Sequence, residues 1–443
     1  MPGTRTSRVR CRSHRDPNLL STPQLAEHFF RREYGRLVAT LCRRVGEQHI
    51  EVVEDAVQSA LMAALESWTV SGPPDNPSAW LFRVAHNDVA GTLRQGSRRR
   101  RLLEQYGGDA VDSGESCSAP FLANEVQDDL LRMLFVCCDE AIAERSQLVL
   151  ALKTLCGFDI REIALRLFLS EANVYKLLTR ARSRLRKSPP RTEGPSEAEF
   201  SSRIAAVHKI LYVLFTEGYL SSRQETAIRR ELCDEAMRLA TILAEHPMGQ
   251  TPETFALLSL MHLHSARINA RQHGSGGLVL LEEQNRDLWD REKIQVGLEW
   301  LARSAHGDAF SRYHAEAAIA AEHCLAPSFQ ETRWENVVNY YSLLERIAPS
   351  PMHMLNRAVA VAEWKGPAAG LAVFDGFEPP DWLAGSYMWA AVLADLHGRC
   401  GNVELANRYQ KLAWKTAPTP AVRNLLEHRL RTSRQTIARH LTR

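Results

Sequence analysis

From Glu171 to Lys187 the chain carries six basic residues, Lys176, Arg180, Arg182, Arg184, Arg186 and Lys187, against a single acid. Cationic groups at this density neutralise a polyanion and release its counterions, and a forked guanidinium can also read a base edge. Val174, Leu177, Leu178, Ala181 and Leu185 recur at helical spacing through the same stretch. Tyr175, Lys176, Thr179 and Arg180 therefore project away from a buried stripe, towards phosphates and bases, with Arg182 and Arg184 as further candidate DNA contacts. A second basic cluster lies upstream, where Asn87 precedes Arg94 and the run Arg98, Arg99, Arg100 and Arg101. Such a run also suits a solvated helix end, where cations complement the macrodipole. Asp55 and Gln58 share another face of one helix with Met62 and Glu66.

Other chemistry is poorly supplied. No phosphate-loop, nucleophile-elbow or H-E-x-x-H motif occurs, and nothing assembles a nucleophile, base and oxyanion donor. His262 and His264 are two residues apart and cannot face one way on a helix, which argues against a zinc pair. Cys137 and Cys138 read as helix packing, and Gly274 to Gly277 as a loop. The acids Glu282, Glu283, Asp287 and Asp290 read as a network around a helix start. No metal or cofactor is expected, and the protein is not expected to be an enzyme. The formal net charge of the 443 residues is only +3, so any nucleic-acid site must be local. Nine cysteines without C-x-x-C spacing point to a reducing cytosol rather than a disulfide framework. No apolar run approaches the ~20 residues of a membrane helix.

The elements that must position these groups are helices. Period-two alternation is nearly absent, whereas i, i+3, i+4, i+7 stripes recur from residue 25 onward, giving an all-α expectation. Val53, Val57, Ala60, Leu61, Ala64 and Trp68 form one stripe, and Asn76 followed by Pro77 starts another helix. Ile160, Ile163, Ala164 and Leu167, then a tight connection ending at Ser170, then the basic helix, form a helix-turn-helix pattern. The expected divisions are a disordered basic arm over 1–20, a helical block over 21–105, an acidic linker over 106–123, and the helix-turn-helix block over 124–188. A Pro- and Gly-containing stretch from Lys187 to Ser196 then leads to a helical extension over 199–443.

The first two blocks resemble the extracytoplasmic-function sigma factors of bacterial RNA polymerase. Glu54 to Ala60 is similar to the family's region 2 helix that docks on polymerase, which implies that role for Asp55 and Gln58. Pro77 to Leu81, followed by Val84-Ala85-His86-Asn87, resembles the helix that opens the −10 element. Gly157-Phe158, Glu162-Ile163-Ala164 and Arg180-Ala181-Arg182 resemble region 4, the −35 reader. His86 and Gly91 depart from the family pattern, which usually has Arg and Asp at these places. Further on, Leu214 to Tyr219, Leu280 to Asp290, Ala317 to Ala321 and Pro349 to Ala362 resemble a subgroup with a long tetratricopeptide-like extension. Leu393, Ala394, Ala406, Ala413 and Pro418 fall independently at tetratricopeptide offsets.

The resemblance implies a non-enzymatic subunit that directs core RNA polymerase to promoter DNA. Its extension would offer a groove to a protein or peptide partner, with no membrane involved. Two other classes remain open: a helix-turn-helix regulator acting without polymerase, and a tetratricopeptide scaffold.

Overall fold

The computed structural model describes residues 22–104, 123–167, 169–187, 196–220, 228–272, 278–418, 420 and 422–430. The expected basic arm, acidic linker and loop at 274–277 lie outside these residues, as do Phe168 and most of the Lys187–Ser196 stretch. Among the described residues the chain is helical, and its β pairing is an isolated bridge between Gln272 and Leu278.

Three long helices come first, α1 (Thr22–Val45), α2 (Ile50–Ser71) and α3 (Pro77–Glu104). The α2 stripe of Val53, Val57, Ala60 and Ala64 is buried, and the Asn76 side chain accepts the Ala79 N–H at 3.0 Å where α3 begins. Four helices follow, α4 (Ala123–Cys137), α5 (Glu144–Thr154), α6 (Ile160–Arg166) and α7 (Glu171–Lys187). A capping box between Asp159 and Glu162 starts α6. Ser170 caps α7 by accepting the Asn173 N–H at 3.3 Å.

The extension opens with α8 (Glu197–Tyr219), whose capping box pairs Ser196 with Glu199. It continues through α9 (Arg230–Glu245), α10 (Pro252–Ser265), α11 (Arg291–Ser304) and α12 (Arg312–Leu325). Asp290, one of the four acids noted above, caps α11 through the Lys293 N–H at 3.0 Å. Next come α13 (Trp334–Ile347), α14 (Pro351–Lys365), α15 (Pro367–Ala372), α16 (Asp381–Ala384), α17 (Tyr387–Arg399) and α18 (Val403–Thr416). Small residues let these helices approach closely. A Cβ on Gly370 would stand 2.7 Å from that of Ala362, and one on Gly398 would stand 3.8 Å from that of Ala406. These approaches join α14 to α15 and α17 to α18, where tetratricopeptide offsets were expected, and the second helix of the first pair has only six residues.

The blocks share a core. One apolar cluster runs from Tyr34 in α1, through α2, α4, α5 and α7, to α8, α9, α10 and Tyr313 of α12, while smaller clusters step towards the C-terminal end. Gly35 marks a close approach between the first two blocks. A Cβ there would lie 2.2 Å from the carbonyl oxygen of Leu155, just past α5, so only glycine fits. Overpacking of this kind typically costs about 1–3 kcal/mol. Gly35→Ala is therefore expected to lower the urea midpoint by that equivalent, followed by circular dichroism. An unchanged midpoint would refute the contact.

His208 on α8 is buried, bonds Thr254 Oγ1 at 2.8 Å, and meets the Tyr313 ring edge-on. Burial pushes its imidazole down from 6.5 to about 4. Between these values the folded state holds fewer protons than the unfolded one. Stability from this group is complete above about pH 6.5 and is lost as pH falls towards about 4, by up to roughly 3 kcal/mol. Urea melts at pH 7 and pH 5 should show a larger loss in the wild type than in His208→Gln. Equal losses in the two proteins would rule His208 out as a source of acid sensitivity.

Candidate nucleic-acid interface

Helix α7 is strongly two-sided. Val174, Leu177, Leu178, Ala181 and Leu185 are buried, while Lys176, Thr179, Arg180 and Arg184 are exposed and Tyr175 is 57% exposed. An aromatic ring, three cations and a hydroxyl on one face supply stacking, phosphate neutralisation and hydrogen bonding together. Along α3, Asn87, Arg94 and Arg98 are exposed, and Arg94 Nε donates to the Ala90 carbonyl at 3.0 Å. Arg99, Arg100 and Arg101 lie within α3, but their side chains fall outside the described residues. Trp80 packs on Trp68 at 5.6 Å between ring centroids, within the aromatic cluster that joins α1, α2 and α3. His86 stacks on Phe82, and a Cβ on Gly91 would meet nothing within 4 Å.

Arg182 behaves differently from its neighbours. It turns inward and pairs with Glu54 of α2, which is buried, and also reaches Glu51 at 3.7 Å. Arg186 joins Glu51 at 3.0 Å. Glu54 accepts a further hydrogen bond from the Thr154 hydroxyl at 2.8 Å. One edge of the basic helix is therefore a clamp on α2. Along the same side of α2, one turn on from Glu51 and Glu54, Asp55 and Gln58 are exposed, followed by Glu66 and by Met62 at 58% exposure. These residues form a continuous surface edge.

The helix-turn-helix is also tied to the extension. Glu162 of α6 pairs with Arg229 at 2.7 Å, both side chains being buried, and the Arg229 guanidinium lies over the Phe158 ring. Arg166 of α6 bonds Thr216 and reaches Glu217 of α8 at 3.4 Å. Arg203 of α8 reaches Asp139 at 3.3 Å and donates to the Phe135 carbonyl at 3.2 Å. Composition and motif reading missed these anchors. The signal was present, because Glu54 and Arg203 stand in phase with apolar stripes, where a charged group needs a partner.

Burial pushes the thiols of Cys137 and Cys138 up, which leaves them inert, as expected of packing residues. Among the described residues no three His, Cys, Asp or Glu side chains are grouped to hold a metal, and no helix is long and apolar enough to cross a membrane.

Comparison with known proteins bears on this surface directly. Residues 30–99 match sigma-70 region 2, residues 133–185 match sigma-70 region 4, and residues 203–305 match a family of unknown function. An uncharacterised protein of Rhizobium meliloti (strain 1021) is 33% identical over 386 residues, covering 86% of this chain and 90% of that protein. The chain belongs to the sigma-70 family, of the extracytoplasmic-function type. No solved structure matches it. This sigma factor carries a long helical C-terminal extension, and its regions 2 and 4 support a role in transcription initiation. Core RNA polymerase and promoter DNA are the partners these regions imply.

The Arg182–Glu54 pair sets a measurable cost. Removing one member of a buried pair strands the other, typically at about 3–5 kcal/mol. Arg182→Ala is expected near the lower end, because its own side chain is partly exposed, and adding Glu54→Gln should recover much of the loss. A double-mutant cycle from urea melts measures this, and strictly additive costs would disprove the coupling.

Proposed function

We propose that this sigma factor docks on polymerase through the Asp55–Gln58 edge of α2, reads the −35 element with the outer face of α7, and opens the −10 element with α3. The observation that carries this reading is the joint exposure of the two surfaces. The docking edge and the recognition face are both exposed, on helices that match regions 2 and 4 in the order the family requires. On α7, Tyr175, Lys176, Thr179, Arg180 and Arg184 would meet duplex DNA. On α3, Asn87, Arg94 and Arg98 to Arg101 would line a basic groove for the separated strand. With His86 and Gly91 in place of the family's usual residues, the −10 preference would differ from the family norm.

The arrangement of these helices supports a closed resting form. The −10 and −35 elements lie about 25 base pairs apart, roughly 85 Å of duplex. A recognition helix clamped on α2 cannot reach one element while α3, packed on that same α2, holds the other. In this reading, promoter engagement breaks the Arg182 and Arg186 pairs and frees both arginines for phosphate. The extension acts as an obligatory folding partner of region 4, because truncation would strand Glu162 and Arg166 and uncover the shared core.

Run-off transcription with purified core polymerase tests the proposal. Asp55→Ala/Gln58→Ala is expected to weaken core binding at least ~10-fold, about 1.4 kcal/mol, with normal helicity. Lys176→Ala/Arg180→Ala should keep core binding and lose promoter binding, and truncation after Arg186 should abolish transcripts. Full-length activity from the truncated protein would return the extension to a scaffold role, and unchanged core affinity in the double variant would remove the docking assignment.

A further inference from the structure

The extension carries an open cavity of about 800 Å³ between α8, α10, α12, α13 and α14 and the segment 279–284. That volume lies in the range of small-molecule sites, about 300–1,000 Å³. Tyr212, Tyr219 and Tyr341 supply aromatic wall, while Ile319, Leu344 and Met352 supply apolar wall.

The cavity's charge is unbalanced. Three arginines line it, Arg267, Arg271 and Arg312, with Glu316 as the acid among its lining residues. Glu316 is already engaged by Arg312 at 2.7 Å. Neither Arg267 nor Arg271 has a carboxylate within ion-pair distance among the described residues. Arg267 is buried, lies over the Trp289 ring and reaches Gln284 Oε1 at 3.4 Å. Arg271 lies 3.6 Å over the Tyr219 ring and donates to the Tyr219 carbonyl at 2.6 Å. Both guanidinium groups are thus held in place by neutral partners, and no carboxylate among the described residues compensates their charges.

Two histidines on the cavity wall register the same field. Burial, with Arg267 and Arg286 nearby, pushes the His323 imidazole down to about 3. His264 is pushed down by burial and then by Arg267 and Arg271. The Nδ1 atoms of both rings lack hydrogen-bond partners. Buried cations without counter-charge are costly, and an anion that enters their cavity recovers that cost.

We propose that this cavity binds a small organic anion, a carboxylate or phosphate monoester with an apolar body. Its anionic head sits at Arg267 and Arg271, and its body lies among the tyrosines. The site is independent of the promoter reading, since none of its residues belongs to region 2 or region 4, and it stands or falls separately.

Isothermal titration calorimetry of the full chain with phenyl phosphate, benzoate and benzyl alcohol tests it. At least one of the two anions is expected to bind saturably, and the neutral alcohol at least tenfold more weakly. Arg267→Gln and Arg271→Gln should each weaken the anion at least tenfold. Asn356→Trp provides a control that leaves every buried group in place, because Asn356 is an exposed residue of the cavity lining. This variant should fold normally and lose binding by obstruction. Absence of saturable binding by either anion, equal binding of the alcohol, or undiminished binding in the folded Asn356→Trp variant would each overturn the assignment.

Discussion

A carboxylate set into the apolar face of α2 must be answered, and the answer organises the N-terminal half of the molecule. Glu54 is among the most buried acids in the chain. Its partners, Thr154 and Arg182, arrive from α5 and α7, roughly a hundred residues further along. Apolar contact alone would tolerate slippage of region 4 over region 2, but an ion pair with a buried carboxylate does not. Once α7 is seated on α2, its remaining polar residues point outward as one face. The direction of the candidate DNA-reading surface is thus a by-product of satisfying a single charge.

The same device recurs where region 4 meets the extension. Glu162 serves twice, closing the capping box of α6 and receiving Arg229. The residue that starts the first helix of the helix-turn-helix is therefore also the one that fastens it to the extension. Arg166 repeats the connection one turn later, at the far end of the same short helix. A seven-residue helix has little stability of its own, and both its ends are held by chain outside sigma region 4.

Much of this was legible in local sequence. The start of α3 follows from Asn76-Pro77, that of α7 from Ser170, and the inner face of α7 from its apolar spacing. Arg182 was the instructive exception. It stands four residues after Leu178 and three before Leu185, on the margin of the apolar stripe, so the helix itself cannot decide whether it faces phosphate or protein. The decision came from Glu54, 128 residues earlier, and no periodicity carries that information. Asp55 and Gln58 were readable as exposed because they stand opposite Val53 and Val57. The cavity arginines were not readable, because Arg267 and Arg271 follow α10 in an irregular segment and become neighbours of Tyr341 and Met352 only through stacking of later helices.

The apolar cluster that joins Tyr34 to Tyr313 also bears on how the chain is made. A ribosome adding ~5–20 residues per second needs roughly 15–55 s to travel between those two points. Through that interval α1 and α2 are already synthesised, yet part of the surface they will bury is not. Region 2 must wait, with its apolar stripe uncovered, for helices that belong to region 4 and the extension. A nascent chain in that condition is a natural client for holding chaperones. Its yield in the cell should respond to translation rate and temperature more sharply than that of a sigma factor whose two regions complete their cores alone.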